Sequence, residues 1–483
     1  MEQRSLRSNY FYNLTLQALN IVYPLLLFTY VSRILGPSGV GKVNFASSFV
    51  YYFTMLASLG TPLYAIREIA KIRNDKKELE RLFSELFFFN CLTAVLSSLV
   101  FVVACFTISK MQGEITLFLV TGSLILFNGL SIDWFYQGIE DYRFIAIRSI
   151  IIRFASLIPV FFLVRTSHDY VIFAAISAGV VIVNNMVNVI HVRKKIRFKI
   201  TGLKLFAHVK QLFVFFSSQV AIFIYTGLDL ILLGFFKSDA DVGYYYSANR
   251  ICKIVITAAV AYTQVLYPRL SHYYNEQRDQ IQEYLKKVFR RLFFMLFFSA
   301  IFVFCLSREI LLILAGNAFL PAVSTLQLGS LIILAIGLNN FTSLQVLLIN
   351  NKEKWVLISV IIGAIVDLAL NLILIPAYSY LGTMIALVVA ESLILTIQIY
   401  MGRNYLSREI FLKNGLLTYL SIGFLLILLK FLIDQFHFGV VWTIISFTGI
   451  STILILGLLY VAKDPIPREI LSLFYSKFAK SNK

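Results

Sequence analysis

Long apolar stretches alternate with short basic segments along nearly the whole chain. Residues 86–108 and 171–190 contain no charged side chain, whereas residues 193–199 carry five Lys and Arg residues. A helix of about 20 apolar residues spans the ~30 Å hydrocarbon core of a bilayer, and only helices and closed barrels satisfy their backbone polar groups there. These stretches are too long and too evenly apolar for barrel strands. The pattern therefore predicts an all-α integral membrane protein.

The alternation predicts about 14 transmembrane helices. Arg308 and Glu309 interrupt the ninth span, and the tenth span is unusually long, so these two are the least regular. The predicted spans are 10–32, 43–65, 84–108, 115–137, 144–164, 169–191, 211–236, 242–267, 291–315, 321–350, 355–376, 381–402, 413–433 and 438–462.

Two parts of the chain repeat one pattern about 200 positions, or six spans, apart. Gly41 matches Gly243, and Pro62 matches Pro268. An even number of spans between the copies predicts parallel repeats, related by an axis along the membrane normal, with a substrate site between them. We therefore expect two six-helix lobes with a pseudo-two-fold axis and two additional C-terminal helices. The predicted domains are 1–200 (spans 1–6), 201–405 (spans 7–12) and 406–483 (spans 13 and 14 with a tail).

The positive charge is distributed unevenly between alternate loops. With the N-terminus in the cytoplasm, 33 of the 43 Lys and Arg residues lie in inner segments and six lie in outer segments. Because cytoplasmic loops retain Lys and Arg, this difference predicts that both termini are cytoplasmic. It also explains the net charge of +18 without a nucleic-acid partner.

The sequence offers no set of residues for catalysis. No loop exceeds about 25 residues, which leaves no room for a soluble catalytic domain. The four cysteines lie in apolar spans and are interpreted as free thiols. The segment 36–42 resembles a phosphate-binding loop, but it lacks the final Ser/Thr and a preceding strand. We interpret it as a turn between spans 1 and 2, and we expect neither an enzyme, nor a metal site, nor a cofactor.

Span 8 carries the most specific polar pattern of the chain. Tyr246, Arg250, Lys253, Thr257 and Gln264 are spaced so that they share one helix face. Two cations within a span are costly unless they face water or a partner. The structural interpretation is a pair with an acid on span 7. The functional interpretation is an anion-binding wall of a central cavity.

Further polar residues lie in or beside other spans. Small polar residues on span 1 serve either helix packing or substrate contact, and two cations near its outer end either line the cavity mouth or anchor at the interface. Acids within spans either bind Na⁺ or H⁺ or pack helices together. The candidate substrate-binding residues are Arg250, Lys253, Tyr246, Asn249, Thr257, Asn20, Gln17, Arg33 and Lys42, and the candidate ion-coupling residues are Asp367, Asn371 and Asp229.

Span 4 ends in an aromatic and acidic segment. Trp134 and Tyr136 fit an aromatic belt at the membrane interface. Asp133 is expected to pair with Arg148 on the next span. Both expectations concern the inner end of the first lobe.

Several short motifs resemble those of a known family in order and spacing. The chain is similar to the bacterial polysaccharide repeat-unit flippases (O-antigen, capsule and teichoic-acid transporters) of the multidrug/oligosaccharidyl-lipid/polysaccharide exporter superfamily. The resemblance covers most of residues 5–405. The motifs are Ser32-Arg33-Ile34-Leu35-Gly36-Pro37, Tyr51-Tyr52-Phe53, Gly60-Thr61-Pro62, Arg67-Glu68-Ile69-Ala70, Asp133-Trp134-Phe135-Tyr136-Gln137-Gly138 and the segment 371–376.

The resemblance implies alternating access by two lobes and a lipid-linked cargo. The expected function is the movement of undecaprenyl-pyrophosphate-linked glycan from the inner to the outer leaflet of the bacterial cytoplasmic membrane, coupled to a Na⁺ or H⁺ gradient. The expected protein is a monomer that cooperates with a polymerase and other glycan-assembly proteins. The alternatives are a multidrug exporter of the same superfamily, or a membrane-embedded polymerase or glycosyltransferase.

Overall fold

The computed structural model describes residues 6–276, 278–405 and 413–469. Side chains are described in these ranges except at 6–21, 218, 221–226, 265, 267–269, 271–280 and 413–414. Throughout the described ranges every regular element is a helix, which confirms the predicted fold class.

The chain divides into two compact units, Met1–Gly243 and Tyr244–Lys483. The first unit contains α1 (Leu6–Ser58), α2 (Thr61–Ile72), α3 (Lys76–Thr107), α4 (Ser109–Gln112), α5 (Ile115–Asn128), α6 (Asp133–Gly138), α7 (Tyr142–Leu163), α8 (Tyr170–Val192) and α9 (Val209–Phe236). Helix α10 (Asp239–Glu276) begins there and continues into the second unit. The second unit also contains α11 (Arg278–Cys305), α12 (Ser307–Leu314), a 3₁₀ turn (Asn317–Ala322), α13 (Val323–Phe341), a π-helical turn (Thr342–Leu348), α14 (Glu353–Gly402), α15 (Lys413–Gln435) and α16 (Val440–Val461).

Two very long helices each hold two predicted spans. Helix α1 has 53 residues and α14 has 50, and each is more than twice the ~20 residues that a bilayer core requires. Each has one non-helical residue, Gly36 (φ 66°) in α1 and Ser379 (φ 51°) in α14. The predicted turn at 36–42 is therefore wrong in extent. It is a kink at one glycine, because Pro37 can start a new helical segment at once.

The helices have the length and composition of a multi-pass membrane protein. Among the described residues, nine helical stretches are long and apolar enough to cross a membrane, and Ile115–Asn128 and Gly227–Phe236 are shorter apolar helices. The count of 14 spans stays a prediction. So do the domain bounds at 200 and 405.

Two glycines allow α1 and the start of α10 to cross at backbone distance in the first unit. A Cβ on Gly41 would lie 1.7 Å from the carbonyl oxygen of Asp239, and a Cβ on Gly243 would lie 2.1 Å from that of Pro37. Gly41 thus contacts Asp239, which is four positions before Gly243. Gly243 in turn contacts Pro37, which is four positions before Gly41. The two pairs are offset by 202 positions, which is the spacing of the repeat seen in the sequence.

The basic segment after α8 folds onto α3. Buried acceptors on α3 hold its backbone: the N–H of Arg197 donates to Glu80 (3.1 Å), that of Lys199 to Ser84 (2.9 Å), and that of Lys204 to Glu85 (3.0 Å). The polar side chains on α3 therefore satisfy the backbone N–H groups of this loop.

Aromatic side chains fill the core at this end of the first unit. Trp134 is 2% exposed and Tyr136 is 0% exposed, and both belong to one cluster with Phe83 and Phe135. The predicted aromatic belt is therefore wrong for these two residues. Tyr136 satisfies its hydroxyl by donating to the carbonyl oxygen of Asn188 (2.9 Å), as buried tyrosines usually do.

The last two helices join the second unit through a core and a charge cluster. Tyr419 and Leu426 of α15 and Phe447 of α16 pack with phenylalanines of α11. Lys430 of α15 is 8% exposed, and its ammonium donates to Glu309 of α12 at 3.0 Å. Glu309, which interrupts predicted span 9, is thus paired with Lys430, which lies within predicted span 13.

Candidate substrate-binding face

Helix α10 has a buried face and an open face. Tyr245, Cys252 and Thr263 are fully buried. Lys253 and Thr257, which are turned away from these residues around the helix, are exposed. The polar face predicted from the sequence therefore points away from the core of the second unit, where a ligand can reach it.

Two buried polar atoms beside this face have no hydrogen-bond partner in the described part of the chain. Arg250 is half-buried, and its Nε has no hydrogen-bond partner among the described residues. Asn249 is 8% exposed and donates from Nδ2 to the hydroxyl of Tyr245 (3.3 Å), while its Oδ1 likewise has no partner in the described part of the chain. Buried polar atoms are usually satisfied. An unsatisfied donor and acceptor in adjacent residues indicate a place for a polar ligand.

The other predicted residues of this face differ in the contacts that they can make with a ligand. Tyr246 is half-buried. The hydroxyl of Thr257 donates to the carbonyl oxygen of Lys253 at 2.7 Å, so it can only accept a bond from a ligand. Lys253 and Thr257 thus bring a cation and an acceptor oxygen to the same face.

Polar contacts on the other side fix the rotation of α10. The hydroxyl of Thr263 donates to Oδ1 of Asn340 (2.6 Å), and Nε2 of Gln345 donates to the carbonyl oxygen of Thr263 (2.6 Å). Gln345 lies in the π-helical turn, and such turns often occur at functional sites. These anchors were not predicted from the sequence, although the cluster of Asn, Thr, Ser and Gln in span 10 was a signal for them.

The predicted coupling residues of the second unit lie together in α14. Asp367 is 3% exposed and Asn371 is fully buried. Nδ2 of Asn371 donates to the carbonyl oxygen of Asp367 at 3.0 Å. Asp229, the third predicted member, is buried in the first unit at 4% exposure.

A second buried acid, Glu391, belongs to a polar ladder between α13 and α14. Nδ2 of Asn339 donates to Glu391 at 2.7 Å. Further along, the hydroxyl of Thr342 donates to Gln398 (2.6 Å), which donates to Ser359 (3.0 Å). This ladder packs the helices of the second unit. Within the described residues no group of three or more His, Cys, Asp or Glu side chains could hold a metal ion.

The cations predicted near the outer end of span 1 have different surroundings. Arg33 is exposed. The ammonium of Lys42 forms an ion pair with Glu114 and lies 4.7 Å from the ring centroid of Tyr170. The hydroxyl of Tyr170 also donates to Glu114, at 2.7 Å. Lys42 therefore has a local structural partner, and its contact with cargo stays a prediction.

Two predicted residues on span 1, Gln17 and Asn20, lie in α1. Their side chains are outside the described part of the chain, so their role also stays a prediction.

Comparison with known proteins finds a polysaccharide biosynthesis family and relatives named as O-antigen transporters. The family model described as "Polysaccharide biosynthesis protein" matches residues 6–274. A protein of Escherichia coli (strain K12) named "Putative O-antigen transporter" is 26% identical over 404 residues, which cover 83% of this chain and 97% of that protein.

Solved structures show the same fold. A structure described as lipid II flippase MurJ in an inward closed conformation has a TM-score of 0.65 at 17% identity, and the match covers 92% of this chain and 99% of that one. An inward-facing MATE multidrug resistance transporter of the MOP superfamily has a TM-score of 0.58 at 12% identity, covering 81% and 98%.

Proposed function

Because this chain belongs to the polysaccharide biosynthesis protein family, we propose that it is a flippase for lipid-linked glycans. It moves oligosaccharide repeat units linked to polyprenyl pyrophosphate from the inner to the outer leaflet by alternating access. The observation that carries this proposal is the open face of α10, where Arg250 and Lys253 lie within a predicted membrane span. No bond of the cargo is made or broken, so the protein is a transporter and not an enzyme.

The chemistry of this face fits a sugar pyrophosphate. A pyrophosphate is anionic, and hydrogen bonds between ionised groups are about twice as strong as neutral ones. The guanidinium of Arg250 and the ammonium of Lys253 would bind the phosphates. Tyr246, Asn249 and Thr257 would contact the sugars, as would Gln17 and Asn20. Arg33 and Lys42 would add positive charge at the outer mouth.

The names of similar proteins support the same cargo class. The relative from Escherichia coli is named as a transporter of O-antigen. The similar solved structure is named as a flippase of a lipid. Together with the cationic face of α10, these names favour an undecaprenyl-pyrophosphate-linked glycan.

The proposed setting is the bacterial cytoplasmic membrane, with both termini in the cytoplasm. The difference of 33 inner to six outer cations supports this orientation. A cysteine replacing the exposed Lys194 in a cysteine-free background should resist an impermeant reagent in intact cells. Its labelling without permeabilisation would reverse the orientation.

Coupling to a Na⁺ or H⁺ gradient through Asp367, Asn371 and Asp229 is part of the proposal. A buried carboxylate is costly when it is ionised, so it tends to bind a proton or a cation. Such binding drives transport only if it favours one of the two lobe arrangements. The proposed protein acts as a monomer beside the polymerase and other proteins of glycan assembly.

A multidrug exporter is the second candidate, because the fold is shared with a MATE transporter. Cationic drugs require an acidic binding surface, whereas the open face of α10 presents Arg250 and Lys253. The charge of this face therefore favours an anionic cargo.

A vesicle experiment tests the proposed function. Purified protein is reconstituted with a short-chain polyprenyl-pyrophosphate oligosaccharide, and an impermeant glycosidase reports the fraction of cargo in the outer leaflet. We expect nearly all cargo to become accessible in protein-containing vesicles and about half in protein-free ones. Equal accessibility in both, combined with gradient-driven efflux of a cationic dye, would contradict the flippase and support the exporter.

A further inference from the structure

A groove opens between α7 and α8 in the first unit, next to the segment that follows α8. Its volume is about 550 Å³. Cationic side chains line one end, and branched apolar side chains line the other. The lining includes Arg143, Arg148, Lys195, Ile147, Ile151 and Val187. The groove is therefore amphipathic along its length.

Arg148 is the central polar residue of the groove. Its side chain is only 5% exposed, and its Nη2 donates to Oδ1 of Asp133 at 3.0 Å. Its Nε and Nη1 are buried and have no hydrogen-bond partner within the part of the chain that the structure describes. Leaving a buried donor unsatisfied is costly, and more so when the group is charged. Of the three guanidinium nitrogens of Arg148, Nη2 thus has a hydrogen-bond partner among the described residues and the other two do not.

Neighbouring contacts hold Arg148 in place. Asp133 also accepts a hydrogen bond from Nδ2 of Asn188 (2.7 Å), so the carboxylate is fixed from two sides. The guanidinium of Arg148 also lies over the ring of Phe144, 5.6 Å from its centroid, and His191 stacks on the same ring. The guanidinium is therefore preorganised rather than mobile.

Three cations (Arg143, Arg148 and Lys195) and one acid (Asp141) line the groove, so its lining has a net positive charge. Lys195 forms an ion pair with Asp141 at 2.5 Å, and Arg148 forms one with Asp133. Arg143 adds a further cation on the exposed rim. Arginine N–H groups bind phosphate oxygens well, and Nε and Nη1 of Arg148 have no partner in the described part of the chain.

An exposed apolar stripe continues from the cationic end along α7. Ile147, Ile151, Phe154 and Ile158 are 40%, 62%, 44% and 61% exposed. Their spacing of three and four residues places them on one side of the helix. In a membrane helix such a stripe lies against hydrocarbon chains. A ligand that matches the whole groove therefore has a phosphate at one end and a hydrocarbon chain at the other.

We propose that this groove binds one anionic phospholipid, with its phosphate on Arg148 and Arg143 and an acyl chain along Ile147 and Ile151. Basic pockets between membrane helices on the cytoplasmic side are suited to such headgroups, and anionic phospholipids are the resident anions of that leaflet. The bound phosphate completes the hydrogen bonds of Arg148 and joins α7 to α8. The site is independent of the proposed transport function, and only the choice of leaflet depends on the proposed orientation.

Native mass spectrometry of the full-length protein tests the site, with phosphatidylglycerol and phosphatidylcholine as probes. We expect one phosphatidylglycerol to remain bound to the wild type and phosphatidylcholine to be lost. Arg148→Gln should weaken phosphatidylglycerol binding by about tenfold or more, as the loss of a charge-assisted contact predicts. Arg143→Gln should weaken it a few-fold.

Arg193→Gln is the matched control, because Arg193 is exposed in the same basic region and does not line the groove. It should bind phosphatidylglycerol like the wild type. If Arg148→Gln does not accumulate in the membrane, Arg143→Gln and the double variant Arg143→Gln/Lys195→Gln decide the outcome.

Three results would overturn the proposal. One is equal retention of phosphatidylglycerol by the wild type and the groove variants. Another is equal retention of both phospholipids by the wild type. The third is displacement of phosphatidylglycerol by a short-chain polyprenyl-pyrophosphate oligosaccharide in the wild type but not in Arg143→Gln, which would assign the groove to cargo.

Discussion

Two helices of the second unit carry cations inside spans predicted from the sequence, and they present them differently. Lys430 of α15 is 8% exposed, and its ammonium lies 3.0 Å from Glu309 and also contacts Asp434. On α10, Lys253 is exposed on the open face, and Arg250 keeps a buried Nε without a partner in the described part of the chain. Sequence alone shows a charge inside a span in both cases. The surroundings separate a structural cation from a candidate binding cation.

The difference has a physical cause. A charge taken out of water is tolerated when an opposite charge and hydrogen bonds replace the water. Lys430 has both, and its role is complete within the fold because it joins α15 to α12. The cations of α10 lie on a face that the core of their own unit leaves open. Nε of Arg250 has no hydrogen-bond partner in the described part of the chain, and a ligand that brings negative charge to this face would supply one.

The largest effect is expected for Lys430→Met. It leaves Glu309, whose side chain is 6% exposed, without its cation. Breaking a buried ion pair from one side costs about 3–5 kcal/mol. We expect a large fall in the melting temperature of the purified protein, or its loss from the membrane fraction.

The double variant Lys430→Met/Glu309→Gln is the control, because it removes both charges. It should recover most of the lost stability, since an isosteric neutral pair is often as stable as a buried ion pair. A Lys430→Met protein as stable as the wild type would show that burial and pairing do not identify a structural cation here.

Asp367→Asn applies the same comparison to a buried acid. If Asp367 binds the coupling ion, the variant should lose the dependence of cargo accumulation on a Na⁺ or H⁺ gradient while keeping its stability. The measurement is accumulation in vesicles with and without each gradient. Glu391→Gln is a suitable control, because Glu391 accepts a hydrogen bond from Asn339 and belongs to the packing contacts of this unit. Wild-type gradient dependence in Asp367→Asn would place Asp367 with Lys430 as a packing residue.

A small effect is expected for Lys42→Gln. Its partner Glu114 is 27% exposed, so the pair is partly screened by solvent and contributes only about 0–1 kcal/mol. We expect near-normal stability and at most a few-fold loss of transport. A loss of transport as large as that of Arg250→Gln would place Lys42 with the binding cations instead.

The sequence predicts the helical features of this protein well, because they depend on local spacing. The angular position of Lys253 and Thr257 on α10 follows from 100° per residue, and both lie on the open face. The pairing of Asp133 with Arg148 is also confirmed, at 3.0 Å. Both predictions use only the geometry of one helix or of two consecutive segments.

Features that depend on distant partners were not predictable in the same way. Nothing near Glu80 and Glu85 in the sequence indicates their partner, because they accept hydrogen bonds from a loop more than 100 positions later. Trp134 has the composition of an interface residue, yet it is 2% exposed because the neighbouring phenylalanines enclose it. The sequence around Gly36 predicts a turn of several residues. In the structure the chain departs from helical geometry only at Gly36, and the helix continues from Pro37.

Binding of cargo to the cations of α10 is the most direct test of the central claim. Affinity for a short-chain polyprenyl-pyrophosphate oligosaccharide is measured by calorimetry on wild type, Arg250→Gln, Lys253→Gln, the double variant and Lys354→Gln, an exposed cation outside α10. Each single α10 variant should lose about tenfold or more in affinity, as charge-assisted contacts worth ~1.5–3 kcal/mol predict, at unchanged melting temperature. The double variant should lose still more, and Lys354→Gln should match the wild type. Wild-type affinity in a folded double variant would contradict the account.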